Sequence, residues 1–324
     1  MLKLAILTLL LMTAMPVSAE WVRVSGTAMT TDIDMEYWTE DPALAKKAGE
    51  EVLEVFRQID RQMSRYREDS ELSVLNRRAG SELVVASDSL FKVLQQAILV
   101  SELSNGAFDI SFGSVGYLYD FRAGDQPSEE ALASGLAAVN YRSIVLDPGL
   151  NTVRFLQDGM RLDLGGIAKG YAVDRGIDIL QSHGIRHARL SAGGDMRLLG
   201  DKRGKPWIVG IRDPRSEKRN AMVLPLSDVA VSTSGDYARF FIDEAGERVH
   251  HILSPATGKP SKGVQSVTIL GDDALTTDGL STAVFVLGAA EGLALINSLD
   301  GIDAVIIDDR RQVHYSSGLM PPGA

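Results

Sequence analysis

Residues 162–174 read L-D-L-G-G-I-A-K-G-Y-A-V-D. Residues 162–164 alternate apolar and polar, which predicts the end of a strand. Gly165 and Gly166 permit a tight turn, because glycine has no Cβ to clash. From residue 167 onward the apolar side chains recur at helical spacing: Ile167, Tyr171, Ile177 and Leu180. The stretch therefore predicts a strand, a glycine turn and a helix.

Such a turn directs backbone N–H groups and the positive end of a helix dipole at whatever lies over it. Lys169, one turn into the helix, adds a full positive charge, so a phosphate or pyrophosphate suits the site. The spacing matches neither a Walker A loop nor the dinucleotide-binding G-x-G-x-x-G pattern. An ordinary turn with a solvated lysine explains the same residues, so this stretch alone leaves both interpretations open.

The composition limits the class of protein. The chain has 324 residues, enough for one large or two ordinary domains, and its 45% hydrophobic and 23% charged content is typical of a folded soluble protein. Its net charge is −10 and no basic stripe is present, which argues against a nucleic-acid partner. Cysteine is absent, which excludes disulfide and thiolate chemistry.

The first 19 residues have the pattern of a secretory signal peptide. Lys3 is followed by an apolar run over residues 4–12, and the small residues Val17-Ser18-Ala19 precede the predicted cleavage point. We therefore expect residues 20–324 to form one mature domain in the periplasm, without a lipid anchor on cysteine. No other stretch was expected to be long and apolar enough for a transmembrane helix.

The mature chain predicts an α+β fold with mixed, largely antiparallel sheets. Helices are predicted over residues 43–66, 69–76, 128–138 and 278–297, and from a cap at Ser87 to Asn105-Gly106. Strands are predicted within 21–38 and over 187–191, 207–212, 222–226, 229–232, 239–242, 266–271 and 304–307.

Several residues suggest chemistry, each with an ordinary structural alternative. Asp278 and Thr282 are four residues apart at the predicted start of a helix, so both face one side, and oxygen ligands suit Mg²⁺ or Ca²⁺. A dipole-favoured Asp and a Thr bonded to the preceding turn explain the same pair. His251, beside a Pro/Gly turn, suits a general base, or is simply part of a surface pair with His250.

Two further motifs are less specific. Gly193-Gly194 before Asp195 forms a second double-glycine turn, which either allows a ligand to approach the backbone or merely reverses the chain. Ser234 does not lie in a G-x-S-x-G elbow, which disfavours a serine hydrolase.

Taken in order, these motifs resemble the ApbE-type FAD:protein FMN transferases, a family of periplasmic flavin transferases. Seven ordered blocks across nearly the whole mature chain carry the resemblance: residues 63–66 with 69–73 and Asn76, 106–109, 163–174, 193–195 with Pro206-Trp207, 232–237, 251–260 and 278–283. The sequence departs from the family pattern at Thr30, where glycine usually follows Met29, and at Thr277, where alanine is common.

The resemblance implies an FAD bound in a cleft between two lobes. It implies flavin contacts from Met29, Tyr66, Ala107, Phe108, Asp109, Gly165, Tyr171 and Ile252, with Lys169, Asp174 and Thr257 nearby. It also implies a Mg²⁺ held by the Ala168 carbonyl, Asp278, Thr282 and Ser281.

The implied reaction transfers FMN from FAD to a threonine hydroxyl of a target protein and releases AMP. His251 is the first candidate base and Asp278 the second, since a metal-bound carboxylate is a poorer base. The implied partners are envelope flavoproteins, such as subunits of the sodium-pumping NADH:quinone oxidoreductase. A Mg²⁺-dependent FAD pyrophosphatase and a non-enzymatic FAD-binding protein are the alternatives that the sequence leaves open.

Overall fold

The computed structural model describes residues 20–216 and 218–320, so the predicted signal peptide lies outside the described residues. The helices are α1 (Pro42–Met63), α2 (Glu71–Arg78), α3 (Asp88–Leu103), α4 (Gly113–Gly116), α5 (Glu129–Leu136), α6 (Ala168–Ser182) and α7 (Ala274–Ile296). The strands are β1 (Glu20–Ala28), β2 (Thr31–Thr39), β3 (Val84–Val85), β4 (Ile144–Asp147), β5 (Thr152–Phe155), β6 (Ala188–Ala192), β7 (Asp195–Leu199), β8 (Trp207–Arg212), β9 (Asn220–Leu226), β10 (Ala230–Gly235), β11 (Phe240–Ile242), β12 (Arg248–His250), β13 (Val264–Gly271), β14 (Asp303–Asp308) and β15 (Val313–Tyr315).

Eight of these strands form the main sheet, in the order β1-β2-β6-β7-β10-β13-β14-β15, and every neighbouring pair is antiparallel. A three-stranded sheet, β3-β5-β4, and the separate hairpins β8-β9 and β11-β12 complete the strands of the described residues. The mixed fold with largely antiparallel sheets is therefore confirmed. Ser87 caps α3 as the sequence predicts, and Asp41, Ser70 and Ser128 likewise each accept a hydrogen bond at a helix start.

The core lies between the main sheet and the helices α1, α6 and α7. All eight residues of β13 are buried, and α7 packs on β13 and β10. Helix α6 contacts both α1 and α7, so it lies between them. This packing brings the N-terminal ends of α6 and α7 together beside the β6–β7 turn.

Three sequence expectations about these elements were wrong. Residues 162–164 belong to no strand. The side chain of Asn76 satisfies the backbone there instead, since its amide donates to the Leu162 carbonyl at 2.9 Å and its oxygen accepts from the Leu162 N–H at 2.7 Å. Helix α7 begins at Ala274, with Asp273 as its cap, so Asp278 lies one turn inside the helix rather than at its start.

The third wrong expectation was that no stretch after the signal peptide is long and apolar enough for a transmembrane helix. Among the described residues, α7 alone is long and apolar enough to cross a membrane by length and composition, contrary to the expectation from the sequence. A core helix of a soluble protein passes the same test, and residues 274–285 of α7 are mostly buried against other elements. The length of α7 is therefore weak evidence for a membrane span.

Candidate functional site

The site is built where α6 crosses α7. The N–H of Gly170 donates to Asp278 Oδ2 at 2.9 Å, joining residues that are 108 positions apart. A Cβ on Gly170 would lie 2.0 Å from the carbonyl oxygen of Ala274, so only glycine lets the two helices approach this closely. One turn further along α7, Thr282 Oγ1 lies 3.2 Å from the position of a Cβ on Gly166. The glycine turn and helix α7 are therefore in direct contact.

Lys169 connects this corner to the second double-glycine turn. Its Nζ lies 2.6 Å from Asp195 Oδ2 and 3.5 Å from Asp278 Oδ2. Both carboxylates are nearly fully buried, while Lys169 is half-buried. One ammonium between two buried carboxylates leaves a local excess of negative charge. We call Lys169, Asp195 and Asp278 the charged triad.

The charges of the triad shift the pKa values of Asp278 and Lys169. Burial, together with repulsion from Asp195, raises the pKa of Asp278 from its ordinary 3.8 to about 7, although Lys169 and the Gly170 N–H oppose this rise. Burial disfavours the Lys169 ammonium, but the attraction of Asp195 and Asp278 outweighs burial and raises its pKa. Near neutral pH the triad therefore holds a charged lysine and an Asp278 carboxyl that is easily protonated when no other cation is present.

A group of hydroxyls lies beside the triad. Ser234, near the end of β10, has its Oγ 2.8 Å from Ser281 Oγ and 3.3 Å from Thr282 Oγ1. The two hydroxyls predicted as metal ligands are therefore brought together, with Ser234 as an addition that the sequence analysis did not assign. Ala168, whose carbonyl was the fourth predicted ligand, is the buried first residue of α6.

This donor set fits a hard divalent cation. A carboxylate, hydroxyls and a backbone carbonyl are the oxygen ligands that Mg²⁺ binds, and a cation would offset the excess charge of the triad. The contacts that Asp278 makes with Gly170 and Lys169 both use Oδ2, which leaves Oδ1 for a cation. Across residues 20–216 and 218–320, no group of three or more His, Asp or Glu side chains is arranged to hold a metal. The predicted ligand set contains only one side chain of these types, Asp278, and its other ligands are hydroxyls and a carbonyl.

The predicted base lies at the end of β12. His251 is half-buried, and its Nδ1 faces the Arg239 carbonyl at 3.2 Å. Because a carbonyl only accepts, Nδ1 carries the proton and Nε2 keeps its lone pair. Burial, assisted by the positive charges of Arg239 and Lys169, lowers the pKa of His251 to about 4. The imidazole is therefore neutral at pH 7, as a proton acceptor must be.

Some of the predicted flavin contacts surround the glycine corner. Phe108 is buried, and its ring lies 3.3 Å from the position of a Cβ on Gly166. The Gly165 N–H donates to Asp163 Oδ1, and Arg65 pairs with Asp163 at 2.9 Å. Arg65 also lies over the ring of Tyr66, 4.7 Å from its centroid, which keeps this 67% exposed side chain close to the corner.

Other predicted contacts have structural partners of their own. The buried Asp109 carboxylate accepts hydrogen bonds from the N–H groups of Ser111 and Tyr141. Burial raises the pKa of Asp109, although these hydrogen bonds oppose the rise. Asp174 accepts from the N–H groups of Ala274 and Leu275 and so caps α7. Both carboxylates thus hold the site's elements in place.

The remaining predicted contacts lie in four places. Met29 is in the β1–β2 turn with φ 51°, Tyr171 is buried in α6, and Ala107 is half-buried before Phe108. Ile252 is buried directly after His251, and Thr257 is exposed in the following turn, where its hydroxyl accepts from the Lys259 N–H.

Asp195, Ser234 and Arg239 are the site residues that the sequence analysis did not assign. Asp195 directly follows the second double glycine, so its place in a motif was visible. The sequence did not show that β7 and β10 approach the α6–α7 crossing, because these contacts join residues 26 to 48 positions apart.

Comparison with known proteins places this geometry in a family. The "ApbE family" profile matches residues 29–306. FAD:protein FMN transferase of Vibrio cholerae is 34% identical over 98% of this chain and 97% of its own length; that of Treponema pallidum is 37% identical over 84% and 80%. The crystal structure of the ApbE protein of Thermotoga maritima superimposes with a TM-score of 0.85 at 31% identity, covering 92% of this chain and 98% of that one. On these matches, the chain belongs to the ApbE family.

Proposed function

We propose that the protein transfers FMN from FAD to a threonine hydroxyl of a target protein and releases AMP, with Mg²⁺ at the α6–α7 corner. The contacts of Gly170 with Asp278 and of Gly166 with Thr282 carry the proposal, since they join a helix N-terminus, an oxygen donor set and uncompensated negative charge. The related proteins named FAD:protein FMN transferase support the same reaction.

Asp278, Thr282, Ser281 and the Ala168 carbonyl would hold the cation. When bound, Mg²⁺ neutralises charge on the transferring phosphoryl group and on the departing AMP. The N-terminus of α6 directs its dipole at the same diphosphate. Phe108 and Tyr66 would pack against the flavin end of the substrate, where aromatic faces stack on a flat ring system.

The threonine oxygen attacks the phosphorus on the FMN side of the diphosphate, the bond to the AMP oxygen breaks, and FMN remains joined by a phosphodiester. His251 takes the threonine proton on Nε2, because its Nδ1 proton is held by the Arg239 carbonyl. An in-line arrangement of these groups supplies the rest of the acceleration.

The signal-peptide pattern and the family resemblance together support export to the periplasm and envelope flavoproteins as targets, including subunits of a sodium-pumping NADH:quinone oxidoreductase. The modified threonine lies on those partners.

Incubation of the purified protein with FAD, Mg²⁺ and a target domain, followed by intact-mass analysis, tests the proposal. We expect the target to gain the mass of one FMN, and a target whose threonine is replaced by valine to gain none. Free FMN and AMP with an unmodified target would instead indicate a pyrophosphatase, and unchanged FAD a binding protein.

Two variants test the assigned roles. Asp278→Ala should abolish Mg²⁺-dependent turnover, and His251→Ala should lower the transfer rate by roughly 10²–10⁴-fold, the usual contribution of a positioned base. His183→Ala is the matched control, because His183 pairs with Glu51 at the far end of α6. Normal transfer by His251→Ala would remove this residue from the mechanism.

A further inference from the structure

The β11–β12 hairpin, which ends directly before His251, is not part of the main sheet. Its two strands pair only with each other among the described residues, in the register Phe240–His250, Phe241–Val249 and Ile242–Arg248. A two-stranded hairpin is marginally stable by itself. The orientation of His251 therefore depends on what ties this hairpin to the rest of the molecule.

The hairpin packs through Phe241 and Val249 on a small apolar cluster that includes Tyr119. Arg239, the residue directly before β11, adds a polar connection in two directions. Its carbonyl accepts from the His251 N–H at 3.1 Å and from the ring Nδ1 at 3.2 Å, so one oxygen fixes both the backbone and the imidazole. Its guanidinium donates to Thr30 Oγ1 at 2.6 Å, a contact across 209 positions of the chain. Thr30 is in the β1–β2 turn beside Met29, on the edge of the main sheet.

The conformation of that turn is unusual. Met29 and Thr30 have φ values of 51° and 59°, in the left-handed region that side chains, and β-branched ones above all, rarely adopt. The following Thr31 side chain packs on the second double-glycine turn, since a Cβ on Gly193 would lie 2.8 Å from Thr31 Oγ1. Gly193 itself lies two residues before Asp195 of the charged triad. A strained turn persists where its surroundings hold it, and such strain is concentrated at functional sites.

We propose that Arg239 is a positioning residue: through Thr30 and the His251 ring it joins the β1–β2 turn to the candidate base as one unit. This Thr30–Arg239–His251 connection orients Nε2 toward the acceptor hydroxyl. The inference rests on the proposed function for its effect on rate, but the connection itself has a readout that does not need activity.

Thr30→Val is the decisive variant, because valine keeps the shape and β-branch of threonine and loses only the hydroxyl that Arg239 binds. Thr27→Val makes the same change at an exposed position of β1 and serves as the matched control. Hydrogen exchange is measured on peptides covering residues 239–251. We expect faster exchange in Thr30→Val, unchanged exchange in Thr27→Val, and recovery in Thr30→Ser, which restores a hydroxyl. Equal exchange in the two valine variants would overturn the connection whether or not the protein transfers FMN.

The kinetic arm then tests positioning. Thr30→Val should lower kcat for transfer by about 10-fold, because small displacements of a reacting group are costly, while KM for FAD stays within about two-fold. Adding Thr30→Val to Arg239→Met should cause no further loss, since the two residues act through one contact. Additive losses, or an effect confined to KM, would refute the positioning role. If the wild-type protein transfers no FMN, the proposed function fails, and the exchange result still decides the connection.

Discussion

Replacement of Asp278 by asparagine should make the cation-free protein more stable and catalytically inactive. The pKa of this buried carboxyl is raised from 3.8 to about 7, by burial first and then by Asp195. Because the folded-state pKa lies above the unfolded one, ionisation of Asp278 costs stability as pH rises from about 4 to about 7, and the full cost remains above pH 7. At about 1.4 kcal/mol per pKa unit, a shift of roughly three units corresponds to about 4 kcal/mol.

Asparagine keeps the shape and can still accept from the Gly170 N–H, but it removes the charge. Its amide needs a new acceptor, so we expect a net gain of about 2–4 kcal/mol at pH 8 without divalent cations. This corresponds to a rise in Tm of about 3–6 °C for a domain of this size. At pH 4 the gain should disappear, since Asp278 is then neutral in the wild type.

Thermal unfolding at pH 4 and pH 8, with EDTA or with Mg²⁺, measures the stability difference between Asp278→Asn and the wild type. Mg²⁺ should stabilise the wild type at pH 8 and should leave Asp278→Asn unchanged, because ligand binding adds stability only where the ligand binds. Asp300→Asn, at an exposed carboxylate, should stay within about 0.5 kcal/mol of the wild type. An Asp278→Asn protein that is less stable than the wild type in EDTA at pH 8 would refute the charge argument.

Three further predictions follow from the same corner. Gly170→Ala should lower stability by about 1–3 kcal/mol or more and weaken FAD turnover, because the new Cβ would lie 2.0 Å from the backbone oxygen of Ala274, which cannot rotate away; a melting temperature equal to that of the wild type would contradict this. Ser234→Ala should raise the Mg²⁺ concentration needed for half-maximal transfer by about 10-fold, since Ser281 and Thr282 lose the hydroxyl that orients them; an unchanged titration would exclude this role. Mg²⁺ affinity should fall as pH drops below about 7, where protons compete for Asp278, whereas His251, with its pKa near 4, should not limit the rate until far lower pH. A pH-rate profile at limiting and at saturating Mg²⁺ checks this, and the acid limb should move to lower pH at saturation.

The local elements were predictable where local physics decides them. The Asp41, Ser70, Ser87 and Ser128 caps stand directly before their helices, because a short polar side chain satisfies the free N–H groups of the first turn. The β1–β2 hairpin and the fully buried β13 followed from alternation and from apolar runs.

The errors occurred where distant residues replace local pairing. Residues 162–164 have the pattern of a strand, but the side chain of Asn76, 86 positions away, takes the hydrogen bonds that a neighbouring strand would supply. The start of α7 was placed too late, since Asp273 caps a helix whose first turn reads as a polar loop. The short strands β3, β4, β5, β7 and β15 were missed, because two to five residues carry little periodicity.

The sequence by itself determined which groups are present and in what order: the double-glycine turns, the Asp278–Thr282 pair, the histidine at a strand end, and the ordered blocks of a family. Only the tertiary structure decided that Lys169 lies between Asp195 and Asp278, that Ser234 bridges the hydroxyls, and that Arg239 holds His251. The reason is that charge compensation and hydrogen bonding depend on distance in space. Burial shifts the pKa values of Asp278 and His251, and the contacts fix the orientation of the side chains, neither of which their positions along the chain encode.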